Sequence, residues 1–72
     1  MKKVISYLDS RLNLARRMPD SHSRKAYYNQ AFGVVEFCVA LEPDFADQLA
    51  KLWRDYYRPI FEELIMSFSS LD

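Results

Sequence analysis

Side chains able to do chemistry are few in this chain. It has one histidine, His22, and one cysteine, Cys38. A histidine titrates near neutrality and a cysteine thiolate is a nucleophile, so acid–base or covalent catalysis would begin at these two. His22 stands between Ser21 and Ser23. Three neighbours in sequence do not make a proton relay, which needs side chains converging from separate parts of a fold. Cys38 lies inside the apolar run of the second segment and reads as a small buried hydrophobe. Glu62 and Glu63 are adjacent, hence about 100° apart on a helix, and do not pair as acid and base. One His and one Cys do not supply a zinc site, and no Glu-x-x-His motif is present for a carboxylate-bridged iron centre. The expectation is a non-catalytic protein with no metal and no cofactor.

The cations are the second set. Lys and Arg balance Asp and Glu at ten each, yet the charge is segregated. Residues 1–25 carry a net +5 and residues 26–72 a net −5. Arg16, Arg17, Arg24 and Lys25 flank one turn, where they could converge on a phosphate. This makes a small nucleic-acid- or phosphate-binding regulatory protein the alternative function. Two plainer roles compete. Arg16 and Arg17 complement the negative end of the first helix, and the basic end can face an acidic helix of the same or a partner chain. No Gly-rich phosphate loop or aromatic–basic stacking pattern supports the anion site further. Arg11 falls almost at the centre of the first helix's apolar stripe. It is expected to snorkel to the edge, with a buried pair to Asp55 or Glu62 as the alternative.

These residues must be positioned by helices. Half of the 72 residues are hydrophobic and only one is Gly, which excludes disordered and low-complexity chains. The breakers Pro19-Asp20-Ser21 and Glu42-Pro43-Asp44 divide the chain into three long segments. Residues 3–18 place Val4, Leu8, Arg11, Ala15 and Met18 on one side, an amphipathic helix ending before Pro19. Asp20, Ser21 or Ser23 is expected to cap the second helix, residues 22–41. Its stripe centres on Tyr28, Ala31, Val35 and Cys38. The third helix, residues 43–69, begins at Pro43 and carries Phe45, Leu49, Leu52, Trp53, Tyr56, Ile60, Leu64 and Phe68 at steps of three or four. Pro59 interrupts it, either as a kink or as a break with a new helix behind it. The chain from Ser67 onward is expected to fray. Short connections make neighbours antiparallel. The expected fold is one all-α domain over residues 1–72, an antiparallel three-helix bundle or hairpin completed by homodimerisation.

That last expectation comes from the second helix. Ala26, Gly33 and Ala40 recur at a spacing of seven on the side opposite its core stripe, with Phe37 beside them. Gly inside a helix costs about 1 kcal/mol relative to Ala, so Gly33 needs a reason. One reason is a crowded neighbour within the chain; the other is close approach of a second chain's helix. Apolar arcs wider than one-sided packing needs, together with a core of this size, favour the second. The candidate interface is Ala26, Gly33, Phe37, Ala40, Phe61 and Ile65. Trp53 and the pairs Tyr27-Tyr28 and Tyr56-Tyr57 read as core and interface anchors, one member of each pair facing inward. The function expected is a small protein–protein interaction or assembly module acting as a homo-oligomer, with a further unidentified protein partner. No membrane role is expected, because no segment approaches the roughly 20 apolar residues of a span. The location expected is the cytoplasm: the apolar run Val4-Ile5-Ser6-Tyr7-Leu8 stops at Asp9, too short for a secretory leader.

Overall fold

Helix α1 spans Lys2–Arg17 and stops where Pro19 requires it, since Met18 adopts extended φ −77°, ψ 141°. The computed structural model describes the backbone of residues 1–69 and the side chains of residues 1–66. Helix α2, Ser21–Leu41, is capped by Asp20, whose carboxylate accepts the Ser23 N–H at 2.7 Å. Of the three capping candidates, Asp20 takes the role.

The third helix starts later than its proline suggests. Pro43 to Phe45 form a turn, held by Phe45 N–H to Glu42 O and Ala46 N–H to Pro43 O, both at 3.4 Å. Phe45 packs against the core with φ −124°, outside helical geometry, so the α-helical ladder begins at Ala46. From there every residue to Ser69 is helical: α3 (Ala46–Leu52), a π-helical segment (Trp53–Tyr57) and α4 (Arg58–Ser69). A separate helix opening at Pro59 is not observed. The expected fraying of Ser67–Asp72 and the inward placement of Phe68 lie outside the described side chains.

The π segment changes which residues face inward. Leu49, Trp53, Tyr57 and Phe61 are all buried, at a spacing of four. In an α-helix a step of four overshoots one turn by about 40°, so three steps drift by about 120°. A π segment holds an extra residue in its turn, with Arg58 N–H bonding Trp53 O five residues back. The four side chains therefore stay in line. The expected stripe through Tyr56 is corrected accordingly: Tyr57 is 2% exposed and Tyr56 is 50% exposed.

Four contacts set the directions. Arg11 of α1 reaches Gln30 of α2, and Trp53 and Phe61 of the third helix meet Tyr28 of α2. Tyr57 meets Asp9 of α1. Helices α1 and α2 are thus antiparallel, as are α2 and the third helix, and α2 packs against both neighbours. The core comprises Leu8, Leu12 and Ala15 from α1, Ala31 and Val35 from α2, and Leu49, Trp53, Tyr57 and Phe61 from the third helix. Trp53 is its hub, stacked on Phe32 at 5.7 Å and 8° between planes. The molecule is elongated, 42 × 17 × 15 Å, following the length of its helices.

Candidate functional site

The outer face of α2 gathers most of the candidate interface residues. Ala26, Gly33, Phe37 and Ala40 are all exposed. Phe37 is 65% exposed, and Leu41, one turn further, is 60% exposed. At 100° per residue these five fall within one arc of about 100°, on the side away from Ala31 and Val35. A Cβ built on Gly33 would meet no atom within 4 Å. The intrachain explanation for Gly33, a crowded neighbour, therefore fails. Among the described residues the glycine faces open space, and none of them offsets its cost to the helix.

Phe61 does not belong to this face. It is fully buried, edge-on to Tyr28 at 5.7 Å and 5.9 Å from Trp53. The in-line arrangement produced by the π segment turns it to the core, so it is unavailable to a second chain. Ile65 is half-buried on α4, and Met66 beside it is 65% exposed.

The four basic residues have divided roles. Arg24 donates to three main-chain carbonyls: Met18 at 3.1 Å, Leu64 at 3.0 Å and Arg16 at 3.4 Å. Its guanidinium braces the C-terminal ends of α1 and α4, where the helix dipoles are negative. Arg24 is thereby committed to the fold and not to an anion. Arg16, Arg17 and Lys25 are exposed at the same end.

Arg11 forms neither pair expected of it with Asp55 or Glu62. Its head lies over the Tyr7 ring at 5.0 Å and the Tyr27 ring at 5.6 Å, and bonds Gln30 Oε1 at 3.1 Å. This is snorkelling with cation–π support. Tyr57 carries a polar link no local pattern announced: its hydroxyl donates to Asp9 Oδ1 at 2.5 Å. Burial, then this bond to a carboxylate, pushes the phenol well above its ordinary pKa. Asp20 is shifted the other way, its carboxyl held below the usual range by the Ser23 N–H.

His22 is exposed beside Lys25, Ala26 and Asn29, which line a shallow depression, and Cys38 is half-buried against the core. Among the described residues no three His, Cys, Asp or Glu side chains come together as a metal site would require. No helix among them is long and apolar enough to cross a membrane. Comparison with protein families, characterised proteins and solved structures finds no match to this chain.

Proposed function

We propose that this chain is a small non-catalytic protein–protein interaction module that works as a homo-oligomer, docking through the outer face of α2. The observation that carries the reading is the exposure of Phe37 and Leu41 beside a glycine with an unfilled approach. Burying one Phe side chain contributes about 1.5–3 kcal/mol, so leaving Phe37 in water forgoes a large fraction of a small domain's stability. Small residues flanking an aromatic side chain suit close helix–helix approach. Binding of phosphate or nucleic acid has less support, because Arg24 is spent on carbonyls and leaves Arg16, Arg17 and Lys25 to act without it.

Sedimentation velocity over the micromolar range tests the reading. The expected mass is near twice the 8.6 kDa of one chain. Phe37→Glu should return the mass to that of one chain with the helical circular dichroism unchanged. A wild-type chain that stays monomeric into the high micromolar range would reject the proposal.

A further inference from the structure

We infer that the occupant of the α2 face is a second copy of this chain, laid antiparallel to the first about a two-fold axis at Gly33; this rests on the self-association proposed above. The face is self-complementary in that orientation. A residue k places before Gly33 then meets the residue k places after it on the other copy. Ala26 meets Ala40 on both sides of the crossing, since each is seven residues from Gly33. Small side chains lie level with small ones, and the two backbones approach closely. Phe37 lies level with Asn29 and beside Gln30 of the second copy, in the space that Gly33 leaves open. Leu41 falls one residue beyond Ala26 of the second copy.

Charge selects the same orientation. Along α2 the cations are Arg24 and Lys25, and from residue 26 to residue 50 the chain has no Lys or Arg. Over that stretch lie Glu36, Glu42, Asp44 and Asp47, all exposed. The opposite end adds the exposed Arg16 and Arg17 from α1. Lys2 and Lys3 offset part of the acidic end, and the exposed Asp20, Glu62 and Glu63 part of the basic end, so the contrast is carried by α2 and the turn that follows it. A parallel pair would set basic end against basic end and acidic against acidic. An antiparallel pair sets Arg16, Arg17 and Lys25 of each copy toward Glu36, Glu42 and Asp44 of the other. Lys25 and Glu36 lie on the same rim of the face, and across the two-fold they are separated by five residues, about 8 Å along the axis. Two extended side chains span that distance. Opposed helix dipoles favour the antiparallel pair further.

Cysteine cross-linking reads the orientation. In a Cys38→Ala background, chains bearing Ala26→Cys and chains bearing Ala40→Cys are oxidised separately and mixed. The expected result is a disulfide-linked dimer in the mixture and none in either sample alone. Cross-linking of Ala26→Cys chains with themselves would indicate a parallel pair and overturn the inference. A dimer by mass with no cross-link in any sample would place the interface elsewhere and overturn it too, leaving self-association standing. A monomer by mass would remove both. Charge exchange supplies a second readout: Lys25→Glu is expected to weaken association several-fold, and adding Glu36→Lys in the same chain to restore most of it. No restoration would count against this register.

Discussion

The two faces of α2 are built from similar residue types and meet different fates. Inward, Ala31 and Val35 are buried and Tyr28 packs against Trp53 and Phe61. Outward, Ala26, Ala40 and Phe37 stand in water around Gly33. A helix apolar on all sides is normally surrounded. Here α1 and the third helix cover one side, and none of the described residues covers the other. Helix α1 is the counterexample: its Asp9, Asn13, Arg16 and Arg17 give it a solvent face, and it needs no further cover. Apolar composition thus sets how much surface a helix has to hide, while the number of neighbours sets how much it does hide.

The sharpest way to break this comparison is to truncate one aromatic on each side of the boundary. Phe61→Ala removes a fully buried ring and is expected to cost about 3–5 kcal/mol, enough to abolish cooperative thermal unfolding in a domain this small. Phe37→Ala should leave the melting of the dilute protein nearly unchanged. If the two variants melt alike, the faces do not differ as described.

Tyr57→Phe probes the polar link on the inner side. Removing its hydroxyl frees Asp9 to water, where it is easily solvated, so the expected loss is about 1 kcal/mol in chemical denaturation. No loss would mean the bond to Asp9 is no better than one to water.

Gly33→Ala acts in the opposite sense. With open space at its Cβ position, Ala should raise protomer stability by about 0.5–1 kcal/mol through helix propensity. The same change should weaken the proposed association, since the added methyl groups would meet at its crossing. A gain in stability together with tighter association would contradict close approach at this position.

The smallest effect concerns Asp20, which holds the start of α2 beneath both faces. Its carboxyl is depressed in the folded state, so its contribution is present above the unfolded value of about 3.9 and is lost as pH falls through the lower folded value. Asp20→Ala should therefore lower the melting temperature at neutral pH, and the gap from wild type should close in acid. A gap independent of pH would assign the effect to something other than the charged cap.

Much of the fold was legible locally. Pro19 ends α1 through the steric demand on Met18, and Asp20 begins α2 with a side chain of the right length. The antiparallel order follows from connections too short for anything else. The outer face of α2 was legible from the spacing of Ala26, Gly33 and Ala40. What failed was the third helix. A period read at 100° per residue put Tyr56 inside and Phe61 at an interface, because an extra residue in the turn leaves no mark on local composition. The buried step of four from Leu49 to Phe61 was the available signal, and it becomes meaningful only beside the offset hydrogen bonds of Trp53–Tyr57.

The amino-acid sequence by itself therefore determined the helices, their reversals and the apolar width of α2, because breakers, caps and periodicity act over a few residues. Only the tertiary structure decided which tyrosine of the Tyr56-Tyr57 pair is buried, that Arg24 closes helix ends instead of standing among surface cations, and that Gly33 looks onto empty space. Each depends on what a distant segment places opposite the residue, and such distances are a property of packing, not of neighbours along the chain.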